Sequence, residues 1–195
     1  METLLFLGRT LGFSFAAGIN LYATVAILGL AARYEWVSLP SEYQVFDNDW
    51  VIALAILLYV VEFFADKIPW VDTVWDALHT IVRPVGGALI AVAALGEASP
   101  GLTAVMALLG GGAAFGSHAT KAGTRVVANS SPEPFSNWVL SLGEDAFVIG
   151  LGLLALKYPL AALVVCVLLL MVIVASLTLL VRAFRRRFRR TEALT

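Results

Sequence analysis

From Leu160 to Val181 the chain reads LAALVVCVLLLMVIVASLTLLV, without one charged residue. About 20 such residues make a helix long enough to cross the hydrocarbon core of a bilayer. Lipid also restricts the alternatives, because every backbone N–H and C=O inside it must be bonded within the protein, which leaves helices and closed barrels. The rest of the chain points the same way. Hydrophobic residues make up 60% and charged residues 14%, with a mean hydropathy of +0.88. A soluble domain has roughly 45–50% apolar and about 25% charged residues. The fold class read from this is all-α: a polytopic membrane helix bundle forming one domain over residues 1–183, with a basic tail at 184–195.

The net charge is −1, which gives no electrostatic case for nucleic acid or any other strongly charged partner. The only cysteine, Cys166, lies inside the last apolar run and reads as a small apolar filler. One cysteine excludes a disulfide framework within the chain. No nucleotide loop, Ser-His-Asp order or zinc signature is found, so no cofactor is expected; GGGAAFGS lacks the lysine of a phosphate loop. At the N-terminus, Glu2 and Arg9 stand where a secretory signal wants a basic start and an unbroken apolar core, so a retained first helix is expected.

Six spans are expected. The first covers Thr3 to Ala32 with a bend at Asn20, and the second covers Trp50 to Asp66, where DKIPW ends it because proline cannot continue a helix. The third is composite: amphipathic from Val71 to Val82, broken or kinked at Pro84 and Gly86–Gly87, then apolar. The fourth runs from Leu102 to Val127 and the fifth from Asn137 to Leu156, with Ser136 as its N-cap. The sixth is Leu160 to Arg182. The tail RAFRRRFRR fixes orientation, since basic residues near span ends stay cytoplasmic. An even number of spans then puts both termini and the Lys67 and Lys121–Arg125 loops in the cytoplasm, with the loop of Glu35, Glu42, Asp47 and Asp49 outside. The tail can also hold anionic lipid headgroups. A bacterial inner membrane is the expected location, and the glycine-rich faces allow a homodimer.

The two halves resemble each other weakly. AAGINLYATVA parallels AAFGSHATKAG, aligning Asn20 with His118, and LLYVVEFFAD parallels VLSLGEDAFV, aligning Glu62 with Glu144. Two three-helix repeats, about 3–97 and 101–183, would be inverted in the membrane, an arrangement known from secondary transporters with broken helices.

Charge inside a membrane is expensive and marks function when it occurs. Glu144 and Asp145 lie well inside the fifth span. As neighbours they point about 100° apart, so one is expected to meet a base and the other a polar neighbour. Glu62 and Asp66 share a face one turn apart, Glu62 deeper and Asp66 at the surface, as a cap. His118, Lys121 and Arg125 share a face at i, i+3 and i+7. Arg125 is expected to snorkel to water, leaving His118 as the deepest base. Asp72, Asp76, His79 and Arg83 form a second polar stripe, read either as the wet face of an interfacial helix or as the wall of a polar cavity. A metal at Asp76 and His79 would rest on two ligands only, and no metal site is assigned.

AAGINLY, VEFFADKIPWVDTVWDALHTIVRPVGGAL, HATKAGTR and SLGEDAF together resemble the bacterial membrane proteins of domain-of-unknown-function family 4126, over about Gly12 to Val181. That family commonly has proline after the asparagine of the first motif, where this chain has Leu21. The resemblance implies the fold and the list of special residues, and it implies no activity. Two functions follow from the residues. One is a small permease, possessing a buried polar site of Asn20, Glu62, His118, Lys121, Glu144 and Asp145, that moves a small polar solute and is driven by protons. The other is a non-transporting scaffold whose charges are structural ion pairs. An intramembrane enzyme is a distant third.

Overall fold

The computed structural model describes residues 1–130 and 135–192, with the side chains of 180 and 183–192 outside the description. The described residues form seven α-helices and one 3-10 helix, with no strand. The helices are α1 (Glu2–Ile19), α2 (Leu21–Arg33), α3 (Asp49–Ala65), α4 (Pro69–Leu95), α5 (Pro100–Asn129), α6 (Phe135–Lys157) and α7 (Pro159–Glu192), with the 3-10 turn Ser41–Phe46 between α2 and α3. Helices α4 to α7 are each long and apolar enough to cross a membrane. The polarity of the bundle is inside-out relative to a soluble protein. Arg83, Arg125, His118 and Glu62 are among its most deeply buried side chains, while Trp50, Phe64, Ile81 and Leu108 face outward. That is the distribution lipid demands, since its tails solvate leucine and not guanidinium.

The expected first span is two helices. Asn20 takes an extended conformation (φ −145°, ψ 100°), ending α1 and starting α2. The directions follow from what each end touches. The start of α1 packs on the loop end of α6 and α7: Gly8 abuts the Pro159 carbonyl, and Arg9 donates to the Leu156 carbonyl at 3.4 Å. Thr10 meets the Tyr43 hydroxyl of the 3-10 turn at 3.5 Å. The end of α1 lies at the far side, where Lys121 donates to the Ile19 carbonyl. Helix α2 then returns, so that Arg33 pairs with Asp47 and Asp49 beside the start of α3. The pair is a helical hairpin. Eighteen residues of α1 span about 27 Å at 1.5 Å per residue, so its tip reaches most of the way through the bundle.

This corrects the expected topology. Helices α1 and α7 run in the same direction, Gly8 lying on Pro159 and Gly12 near Ala162. The N-terminus and the far end of α7 therefore emerge from opposite ends of the bundle, and the N-terminus shares its end with the Glu42 loop. The hairpin also divides the first of the aligned segments, Ala16–Ile19 lying in α1 and Leu21–Ala26 in α2. Helix α5 runs parallel to α1, with Ser117 donating to the Phe15 carbonyl and Lys121 to the Ile19 carbonyl. Helix α6 runs antiparallel to α1 and hence to α3, with Gly12 near Ala155 and Asn20 on Asp145. Of the first aligned segment, α1 is thus parallel to α5 and α2 antiparallel to it, while α3 and α6 are antiparallel.

Two further expectations change. Helix α4 is continuous through Pro84 and Gly86–Gly87, so the third element is one helix. Helix α5 is continuous through its glycine run. Those glycines serve close approach instead: a Cβ on Gly110 would lie 2.6 Å from the Gly87 carbonyl oxygen of α4. Helix α6 begins at Phe135, so Ser136 sits in its first turn and is not the cap. Backbone helix continues to Glu192, while the arginine side chains of the tail and residues 193–195 lie outside the described residues.

Candidate functional site

The far end of the bundle holds a buried charge network, and the hairpin tip enters it. Asn20 is suited to the break because its side chain satisfies a helix start. Its Oδ1 accepts from the Ala23 N–H at 2.9 Å, its own N–H closes α1 on the Ala16 carbonyl, and its Nδ2 donates to Asp145 Oδ1 at 3.3 Å. No proline is needed at position 21. The last carbonyl of α1, on Ile19, takes a hydrogen bond from Lys121 Nζ at 3.3 Å. The end of α1 thus finds a side chain of α5, the start of α2 is capped by Asn20 itself, and α6 holds that cap in place.

The basic face of α5 supplies the centre. Lys121 Nζ lies 2.9 Å from Asp66 Oδ2, 3.4 Å from Glu62 Oε1 and 3.5 Å from Glu144 Oε2. Arg125 grips Glu144 with two parallel bonds, Nε to Oε1 at 3.1 Å and Nη2 to Oε2 at 2.6 Å. It also reaches Asp66 Oδ2 at 3.1 Å, with Asp72 Oδ1 at 3.8 Å. Arg125 is 1% exposed, so the expectation that it snorkels to water is overturned. Its planar fork can serve several carboxylates at once, which a flexible ammonium does less well. Asp66, expected at the surface, is 2% exposed and shared by Lys121 and Arg125.

Helix α4 contributes the polar stripe, and it faces inward: Asp72, Asp76, His79 and Arg83 are all buried. Of the two readings of that stripe, the interfacial wet face is therefore excluded. Arg83 bonds Glu62 Oε1 at 2.7 Å and Asp76 Oδ1 at 3.1 Å, and its Nη1 also approaches His118 Nδ1 at 2.7 Å. Arginine only donates, so Nδ1 of His118 is the acceptor. The ring proton then sits on Nε2, which faces Thr80 Oγ1 at 3.1 Å. His79 is fixed the same way. Its Nδ1 donates to the Trp75 carbonyl at 2.7 Å, and its Nε2 shares a hydrogen bond with the Tyr22 hydroxyl at 2.9 Å. Trp75 stacks on the ring at 4.6 Å between centroids. His118, as an acceptor, is a neutral hydrogen-bond link in this arrangement.

The structure gathers all ten residues singled out from the sequence at this one end of the bundle. Of the adjacent carboxylates, Glu144 meets the bases and Asp145 meets Asn20. Sequence reasoning missed Asp66 and Arg125 as members. It also missed the polar bridge of Asn129, which donates to Asp72 at 2.7 Å and accepts from Asn137 at 2.6 Å. The only signal for these was spacing, Arg125 lying one turn beyond Lys121. Among the described residues no group of three His, Cys, Asp or Glu side chains is placed to hold a metal ion.

Six carboxylates (Glu62, Asp66, Asp72, Asp76, Glu144 and Asp145) meet four cations: Arg83, Lys121, Arg125 and, at the edge, Lys67, which bonds Ser141 at 3.3 Å. With every carboxylate ionised, two negative charges are unmatched. Glu62 Oε2, Asp76 Oδ2 and Asp145 Oδ2 are buried with no hydrogen-bond partner in the protein. Such oxygens are costly unless they bind a proton or a cationic partner. Beside the network a cavity of about 500 Å³ lies between α1, α5, α6 and α7, reaching Lys121 and Glu144 at its polar end. A smaller one of about 220 Å³ touches Asp76, Thr80 and Arg125 on the α4–α5 flank.

A family model, Domain of unknown function (DUF4126), matches residues 7–178. The chain belongs to the DUF4126 family. No curated protein and no solved structure matches it. The span matched as DUF4126 takes in the whole charge network, all of α2 and α1 from residue 7 onward, so the network lies wholly within the DUF4126 domain.

Proposed function

We propose that this membrane protein is a small permease that binds a solute where the cavity meets Glu144 and Lys121 and couples its passage to proton movement. The observation that carries the reading is the helix broken at Asn20. A re-entrant tip costs a helix its hydrogen-bond continuity inside lipid, and discontinuous helices meeting charged side chains are the binding device of many secondary transporters. Support also comes from the unmatched carboxylate oxygens. Asp145 and Glu62 each offer a buried lone pair that a proton can occupy and leave. In this reading Arg83 and Arg125 are the fixed frame, and Lys121, held by four oxygens from α3 with its C-cap, from α6 and from the hairpin, is the part whose partners exchange. The Arg-rich end of α7 faces the cytoplasm of a bacterial inner membrane, where it can meet anionic lipid headgroups, and the N-terminus with the acidic loop faces out.

Reconstituted protein tests this. Proteoliposomes under an imposed pH gradient should show solute-dependent proton uptake that Glu144→Gln and Lys121→Ala each reduce at least tenfold. Unchanged flux in both variants across a panel of amines, amino acids and sugars would remove the assignment.

One observation favours a second reading. Each buried cation is shared by at least two carboxylates, as in a network that locks helices together. A non-transporting scaffold or lipid-organising protein would show stability loss in the same variants and no flux in any.

A further inference from the structure

The larger cavity has a chemical polarity that narrows what the proposed permease takes, and the inference rests on that reading. Its walls are apolar, with Phe15, Phe147, Leu169 and Ile173 among them. It opens on the flank of the bundle, where Val139 and Val172 are largely exposed. In a membrane that flank faces acyl chains, so entry is from the lipid. A volume of about 500 Å³ is in the range of small-ligand sites.

The polar end is built almost entirely of acceptors. Glu144 is partly exposed there; Arg125 takes one bond on each oxygen and Lys121 approaches Oε2 at 3.5 Å, which leaves a lone pair of Oε1 unspent. The Thr120 hydroxyl spends its hydrogen on the Gly116 carbonyl at 2.9 Å, and the Thr124 hydroxyl spends its hydrogen on the Lys121 carbonyl at 2.7 Å. What they turn to the cavity is oxygen. The Lys121 protons are taken by Asp66, Glu62 and the Ile19 carbonyl. An anion entering here would find no free donor, and behind the acceptors lies a network with two negative charges in excess. Burial makes that excess felt, because little water screens it.

We infer that the cavity binds lipophilic cations: amphiphiles with an ammonium or similar positive head, drawn sideways from the membrane. The head sits against Glu144 between Thr120 and Thr124, and the apolar body lies along α1, α6 and α7. A cation over a carboxylate at the end of an apolar slot gains both attraction and burial.

The test uses the full-length protein in lipid nanodiscs and two probes of matched shape and opposite charge, tetraphenylphosphonium and tetraphenylborate. Saturable binding is expected for the cation alone. Gly143→Leu should weaken it at least tenfold, because Gly143 lines the cavity and an added Cβ there meets nothing within 4 Å, so the side chain fills the slot without moving the backbone. Glu144→Gln should weaken it comparably, with Gly143→Leu deciding if that variant does not fold. Equal binding of both probes, no saturable cation binding, or cation binding that survives Gly143→Leu each overturns the inference. Failure of the two readings is separable. Cation binding without any proton-coupled flux removes the permease and keeps the ligand class. Flux of hydrophilic solutes without cation binding does the reverse.

Discussion

Two helical segments of this protein carry a residue expected to interrupt them, and they respond in opposite ways. At Asn20 the chain has no proline, yet α1 stops and α2 turns back. At Pro84 the chain lacks the N–H that would bond the Thr80 carbonyl, yet α4 runs on from Pro69 to Leu95. The difference lies in what surrounds each point. The broken ends at Asn20 are met by a cap of their own, by Lys121 and by Asp145, so stopping costs little. Around Pro84, Arg83 is clamped by Glu62 and Asp76, and Gly87 packs against Gly110, so α4 is held straight through the defect. In lipid, tertiary partners decide whether a local breaker breaks.

The comparison can be tested by removing those partners, starting where the effect is largest. Arg83→Leu leaves Asp76 buried without its counter-charge and Glu62 with Lys121 alone, at 3.4 Å, and should cost about 3–5 kcal/mol, read as loss of the folded fraction in a detergent-denaturation series. A variant as stable as the parent would mean the clamp is not what holds α4. Asn20→Leu removes the cap and the partner of Asp145; the cap alone is worth roughly 0.5–2 kcal/mol. Asn20→Ser, which keeps an acceptor for the Ala23 N–H, should recover the larger part, and no recovery would show that the Asp145 bond matters more. Tyr22→Phe deletes the hydroxyl that fixes His79 from the first turn of α2 and should cost about 1 kcal/mol. Its mark would be a changed imidazole signal in nitrogen NMR, with the hairpin otherwise intact. The smallest effect is expected for Pro84→Ala, within about 1 kcal/mol of the parent. Amide exchange should show the same continuous α4 in both, and a newly protected or newly frayed half-helix would contradict the straight-through account.

How much of this was legible in the sequence depended on which physical rule each feature obeyed. Apolar runs gave α3 and the crossings after it, because a bilayer sets their length. The bend at Asn20 was visible as a polar interruption, but its angle was not. Whether a chain bends by a few degrees or folds back depends on Lys121 and Asp145, which lie far along the sequence. That one unknown put the N-terminus and the far end of α7 at opposite ends of the bundle. The polar stripe from Asp72 to Arg83 was visible as a face, while which way it pointed required Glu62 and His118 to be in place. Arg125 was misread because snorkelling is a general habit of arginine near helix ends, and three buried carboxylates within its reach outweigh that habit here.

The hairpin also has a consequence for how the protein is made. Asn20 and Asp145 are 125 positions apart, and Ile19 and Lys121 are 102 apart. During synthesis the polar tip of α1–α2 therefore leaves the ribosome long before the residues that satisfy it exist. Until α5 and α6 emerge, its open carbonyl and its asparagine have to stay in water or in the insertion machinery, and the hairpin settles into the bundle only when the second half of the chain has arrived. A segment translated early is among the last to be sealed.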